Sequence, residues 1–151
     1  MARAPFQVLV IPYRVGVDGQ PEYAVFRRAD LDVWQAIAGG GEDLETPAEA
    51  ARREAWEEAG LPIHTSLHSL RAVAMIPATH FLASPEWGTS VTEIPEHAFA
   101  IRAPDGIVHP SAEHSEVVWL PYSEAAARFH WESNRAALTE LHEWLTQEKR
   151  D

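Results

Sequence analysis

The segment Arg53-Glu54-Ala55-Trp56-Glu57-Glu58-Ala59-Gly60 concentrates charge in a way that calls for a partner. Glu54 and Glu58 are four residues apart and Glu54 and Glu57 three apart, so a helix puts all three carboxylates on one face. Glu57 and Glu58 also fall in the last turn before Gly60, beside the negative end of the helix dipole. Both effects are unfavourable, each by a few tenths of a kcal/mol upward. Arg53 reaches Glu57 at i+4 and offsets part of the repulsion, but one guanidinium cannot neutralise three acids. A divalent cation reverses the sign of the problem. Magnesium takes hard oxygen ligands and keeps part of its shell for phosphate oxygens. The plain alternative is a solvated acidic face, which many helices carry.

The residues upstream extend the pattern. Gly39 is followed after five residues by Glu45, and Glu45 after seven by Arg53-Glu54-Ala55-Trp56-Glu57-Glu58-Ala59-Gly60-Leu61. This string resembles the Nudix box, a strand-loop-helix-loop signature fixing seven positions and two apolar ones. The resemblance implies that Glu54, Glu57 and Glu58 bind Mg2+, with Mn2+ as a substitute, and that the Gly39 carbonyl joins them. It implies that Arg53 orients the glutamates, that Glu45 is a structural partner, and that Glu57 is a candidate general base, a role that differs between members. Two positions depart from the pattern: Ala55 replaces a bulky aliphatic residue and Leu44 stands where many members carry Gly. Neither removes a ligand.

Outside the box, the chain is similar to the bacterial dihydroneopterin triphosphate pyrophosphatase branch of the Nudix hydrolases. Arg27-Arg28, Trp34-Gln35, Glu113-His114, Trp119-Leu120 and Ser133-Asn134-Arg135 carry the likeness. It implies a further metal ligand at Glu113 and substrate contacts at Arg27, with Arg28, Trp34 and Ala38 in the same set. Ala38 occupies a position that often carries Thr, so a hydroxyl contact is missing. For Glu113 the plain alternative is a loop acid, and for Arg27 and Arg28 a surface strand end. Trp34, Phe81, Trp87 and Trp131 are candidates to stack on a base or pterin, although a Trp in a small domain more often packs a core. Trp56, Trp119 and Trp144 are assigned to packing. His80, His97, His109, His114 and His130 have no metal-ligand spacing.

These residues need a scaffold. Phe6–Tyr13 reads as a strand, Val15–Pro21 as a turn and Glu22–Arg27 as a second hairpin arm. Val33–Ala38 reads as a short strand running into Gly39-Gly40-Gly41. Thr46, Pro47 and Glu49 form a capping box with proline at the first helical position, starting a helix that ends at Ala59 with Gly60 as its stop. Ala48, Ala51, Arg52, Ala55 and Ala59 lie near one another at helical spacing, and the alanines offer a smooth face that can approach a sheet closely. Strands are expected near Leu67–Ile76, Thr92–Arg102 and Glu116–Leu120, a short helix capped by Ser123 through Phe129, and a final amphipathic helix over Ser133–Gln147. The order fits an α/β/α sandwich, and the Nudix resemblance implies a mixed central sheet.

Composition narrows the function. A length of 151 residues suits a single domain spanning 1–151. The absence of cysteine excludes disulfides, thiolate zinc sites and a Cys nucleophile. The net charge of -11 repels a phosphate backbone and argues against bulk nucleic acid, but admits a small phosphoanhydride that arrives with a cation. No stretch approaches the roughly 20 apolar residues of a membrane helix, and the N-terminus lacks signal-peptide features, so no membrane partner and a cytoplasmic location are expected. A monomer and a homodimer are both left open. Three functions follow: hydrolysis of dihydroneopterin triphosphate or a (d)NTP with pyrophosphate release, hydrolysis of another X-linked diphosphate such as a dinucleoside polyphosphate or nucleotide sugar, and a non-catalytic ligand-binding module.

Overall fold

The computed structural model describes residues 2–148. Seven strands form one sheet: β1 (Arg3–Val15), β2 (Pro21–Arg28), β3 (Trp34–Gln35), β4 (Ile37–Glu42), β5 (Leu67–Pro77), β6 (Glu93–Arg102) and β7 (His114–Leu120). The helices are α1 (Pro47–Ala59), α2 (Tyr122–Arg128) and α3 (Glu132–Glu148). The sheet is mixed: β1 and β6 run parallel over Gln7–Tyr13 and Glu96–Arg102, while the other pairings are antiparallel.

Alternation along β1 explains the layers, because successive side chains of a strand point to opposite faces. Val8 and Val10 pack beneath α1 with Phe26, Ile37, Phe99 and Ile101. Leu9 and Ile11 pack on the other face with Tyr23, Val25, Phe129, Leu138 and Leu141. The result is the α/β/α sandwich expected from the sequence. Among the described residues no helix is long and apolar enough to cross a membrane.

Three local differences position the site. The strand expected at Val33–Ala38 is two strands, β3 on β2 and β4 on β1. At the changeover Asn134 Oδ1 accepts the Ala36 N–H at 2.8 Å, so α3 satisfies the backbone group released between the two ladders. The strand also continues through the glycine triplet to Glu42. On α1, Ala50, Ala51, Ala55 and Ala59 are fully buried, giving the close helix-sheet approach that small side chains permit, whereas Ala48 is exposed. Trp56 is corrected from core to surface: it is 54% exposed, one position beyond the alanine stripe.

Helix α1 begins as its sequence dictates. Thr46 Oγ1 accepts the Glu49 N–H at 3.2 Å and Glu49 Oε1 accepts the Thr46 N–H at 2.8 Å, with Pro47 first in the helix. Gly60 closes it at φ 68°, a left-handed conformation that glycine adopts without a Cβ penalty. By contrast, Pro121, and not Ser123, precedes α2, and no side chain caps that helix.

Candidate active site

The acids near the end of α1 are held by one arginine and one loop. Arg53 Nε donates to Glu45 Oε2 at 2.8 Å and Arg53 Nη2 to Glu45 Oε1 at 3.0 Å, a two-pronged ion pair. The same guanidinium donates to Glu54 at 2.9 Å, Glu57 at 3.2 Å and the Gly40 carbonyl at 2.8 Å. Arg53 therefore fastens α1 to the loop and to β4 while fixing two of the three carboxylates. Its pairing with Arg53 holds the Glu45 carboxyl below the usual range, although burial opposes the shift.

The loop after β6 completes the cluster by satisfying the helix end. The last carbonyls of an α-helix have no partner within it. Here the Ala59 carbonyl accepts the His109 N–H at 2.8 Å and the Glu58 carbonyl accepts the Ser111 N–H at 3.1 Å. Ser111 Oγ then accepts the Glu113 N–H at 3.3 Å, and the Glu113 carbonyl accepts the Ala29 N–H at 3.0 Å. This chain of bonds carries Glu113 from a distant segment to the wall of the cavity that Glu58 lines.

Glu58 is the most constrained of the acids. It is 2% exposed, and its Oε2 is buried without a hydrogen-bond partner. Burial pushes its carboxyl far above the usual range, and Glu54, Glu113 and Glu57 add to the shift. Burial, and then Glu54, also raises Glu57, with Arg53 opposing. His114 Nε2 lies 3.7 Å from Glu58 Oε1. Burial, assisted by Arg28 and opposed by Asp30, lowers the His114 pKa.

Gly39 sits where Glu54 crosses β4: a Cβ there would collide with the Glu54 carboxylate. The glycine thus lets the acid lie directly on the strand. Among the described residues no three of His, Cys, Asp and Glu stand close enough together to hold a single ion. The donors that the sequence singles out are nonetheless all hard oxygens, and one of them, Glu58 Oε2, is buried and unpartnered. That chemistry fits a divalent cation, which would have to draw the other carboxylates toward Glu58.

The remaining residues divide. Arg28, Ala38, Gln35 and Gln7 line two adjoining cavities, of about 530 and 510 Å3. The first contains Glu58 and Glu113; the second contains Phe81, Trp131, Glu96 and Asn134. Arg27 lines neither cavity, and its guanidinium is engaged by Asp32 and Glu116. Trp34 packs on the core beneath α2 and α3, with the Arg128 guanidinium 4.8 Å from its ring centre. Trp87 donates its indole N–H to the Arg3 carbonyl at 2.7 Å, and the Arg3 guanidinium lies over Phe81 and Trp87. The sequence reading missed Arg3 and Glu96. For Glu96 a signal existed: it falls in the buried register of Ile94, Ala98 and Ala100, an acid where alternation calls for an apolar residue.

A family model described as the NUDIX domain matches residues 10–141. The chain is similar to the dihydroneopterin triphosphate diphosphatase of Escherichia coli K12, at 29% identity over 92% of this chain and 93% of that protein. A crystal structure described as a NUDIX hydrolase from Listeria monocytogenes matches with a TM-score of 0.86 at 39% identity, covering 96% of this chain and 97% of that one. The structure of the E. coli dihydroneopterin triphosphate pyrophosphohydrolase matches with a TM-score of 0.71 at 25% identity, covering 91% and 94%.

Proposed function

The chain belongs to the NUDIX domain family and is a Nudix hydrolase, and on that premise we propose that it cleaves a phosphoanhydride bond in a nucleoside-triphosphate-like substrate, dihydroneopterin triphosphate or a (d)NTP, releasing pyrophosphate. The observation that carries this reading is the cleft. A cavity lined by the buried Glu58 and the exposed Glu113 adjoins one of similar size with aromatic and amide side chains, room for phosphates and heterocycle side by side.

Nudix hydrolases generally use a divalent metal. In this reading Glu54, Glu57, Glu58, Glu113 and the Gly39 carbonyl would hold Mg2+, with Mn2+ able to replace it, and the ion would supply charge neutralisation and Lewis acidity at the phosphate. The side chains do the rest. Arg53 keeps Glu54 and Glu57 in register through its bonds to both. Glu57 is the candidate base, held beside Glu54 by their shared partner Arg53. It would take the proton as water attacks phosphorus. Arg28, at the junction of the two cavities, is placed to meet phosphate oxygens with its planar fork. Phosphoryl transfer asks chiefly for such positioning and charge neutralisation. We infer that the chain, 1–151, is organised as a single domain.

The test is a panel of dihydroneopterin triphosphate, dNTPs, a dinucleoside polyphosphate and a nucleotide sugar, each with Mg2+ and with chelator, with products identified. Pyrophosphate release from a triphosphate, lost on chelation, is expected. Turnover of dinucleoside polyphosphates or nucleotide sugars alone would replace this reading with the other hydrolase class.

A further inference from the structure

We propose, resting on the triphosphate reading above, that Glu96 determines substrate specificity by pairing with two adjacent N–H groups on the heterocycle, the 2-amino-4-oxo edge shared by guanine and pterin. Glu96 is 7% exposed and lines the second cavity. Its Oε1 is buried with no hydrogen-bond partner, and Ser133 lines the same cavity. It stands in the face of β6 that packs against α3, in register with Ile94, Ala98 and Ala100.

A buried carboxyl with an orphaned oxygen costs stability, because desolvation is not repaid by a bond. Nothing in the fold requires that cost: an apolar residue would continue the alternation of β6. The group is instead set up for a bond that a ligand completes. Burial raises its pKa, the expected response of an acid with no cation beside it. When ionised, a carboxylate only accepts hydrogen bonds, at about four lone-pair sites, so it has capacity for two N–H donors from a ligand.

The rest of the wall is fixed to receive a flat ring. Gln35 Oε1 accepts the Trp131 indole N–H at 2.9 Å, and that bond sets the angle of a tryptophan that is 41% exposed at the cavity. Asn134 is held by its bond to Ala36. Within the substrate class proposed above, only the 2-amino-4-oxo ring presents a ring N–H beside an exocyclic amine. Adenine and cytosine place an acceptor nitrogen next to the amine, and thymine flanks its single N–H with two carbonyls; each sets a lone pair against a carboxylate oxygen.

The experiment compares kcat/KM for dihydroneopterin triphosphate, dGTP, dATP and dCTP in the wild type and Glu96→Gln, with thermal unfolding of both. The wild type should prefer the first two by about a hundredfold, since two good hydrogen bonds discriminate by about 1–3 kcal/mol. Glutamine offers one acceptor and one donor, so the preference should fall at least about tenfold. Tm should hold or rise, because the orphaned acid is gone. An unchanged preference overturns the proposal, and so does a Tm drop of more than about 5 °C, the mark of a structural role; Glu96→Met, which carries no polar group, checks this independently. A wild type that hydrolyses no triphosphate sinks the functional reading instead. Tryptophan fluorescence titrations with neopterin, guanosine and adenosine then decide Glu96: tighter binding of the first two, weakened in Glu96→Gln, supports it, and equal binding overturns it.

Discussion

Glu58 and Glu96 are both buried acids on one cleft, and they are buried in opposite company. Glu58 lies among like charges, with Glu54, Glu57 and Glu113 all raising its pKa beyond what burial alone does. Glu96 has no neighbouring acid adding to its shift, and only burial raises it. One environment is short of positive charge and the other of hydrogen-bond donors. A cation answers the first need and a neutral heterocycle with N–H groups the second. The contrast teaches that two acids with pKa values displaced in the same direction can serve different ligands, and that the cause of the displacement distinguishes them.

The largest effect expected separates the two ends outright. Glu58→Gln removes a charged oxygen donor from the centre of the cluster and should cut kcat for the preferred triphosphate by about 10^3-fold, the size of losing a main electrostatic contribution at about 4 kcal/mol. Glu96→Gln should leave kcat for that substrate within about tenfold and act on discrimination. If steady-state kinetics gave the two variants equal losses in kcat, the division of the cleft into a charge end and a recognition end would fall.

How far each end can be read from sequence follows from the same contrast. The charge end is local. Helical geometry alone makes Glu54, Glu57 and Glu58 neighbours, Thr46 to Pro47 to Gly60 marks the helix limits, and the Arg53 to Glu45 pair spans eight residues. The recognition end is assembled by tertiary pairing. Glu96 lies opposite Gln7 only because β1 and β6 run parallel in that register, and Ser133 and Asn134 arrive from α3. Alternation along β6 marks Glu96 as an acid in a buried register, but no spacing ties it to residues of β1 and α3. Tertiary geometry also explains the errors at the strand switch and at Trp56. The first depends on a side chain 98 residues away, and the second on which strip of α1 meets the sheet, a rotation that a helix of alanines and glutamates leaves poorly defined.

A pH series sharpens the comparison in the metal-free protein. A carboxyl whose folded pKa lies above its unfolded value holds its proton more tightly when folded. The stability is therefore complete below about pH 4.5, the ordinary carboxylate value, and falls as pH rises above it. Glu58 and Glu96 both carry that sign. Chelated protein should lose Tm between pH 5 and pH 8, where a loss of about 2 kcal/mol corresponds to roughly 4–8 °C. Mg2+ should flatten the Glu58 share by neutralising the cluster, and Glu58→Gln should flatten it without metal. Mg2+ should leave the Glu96 share untouched, so a slope that vanishes completely on adding Mg2+ would mean that Glu96 does not contribute.

The smallest effect concerns what joins the two ends. Arg27 and Arg28 are adjacent on β2, and the sequence names both for substrate. The register of β2 against β7 shifts between them, and the structure uses them differently. Arg28 lines both cavities beside Ala38, bonded to exposed Asp30 at 2.9 and 2.6 Å. Exposed ion pairs contribute little to stability because solvent screens them, so Asp30 yields Arg28 readily to a phosphate. Arg27 is tied to Asp32 and Glu116 outside both cavities. Arg28→Gln should therefore raise KM about tenfold, near 1.4 kcal/mol, with kcat within about twofold, while Arg27→Gln should change KM less than twofold. The reverse ranking would place the phosphates on the Arg27 side of the strand and leave the junction between the cavities without its cation.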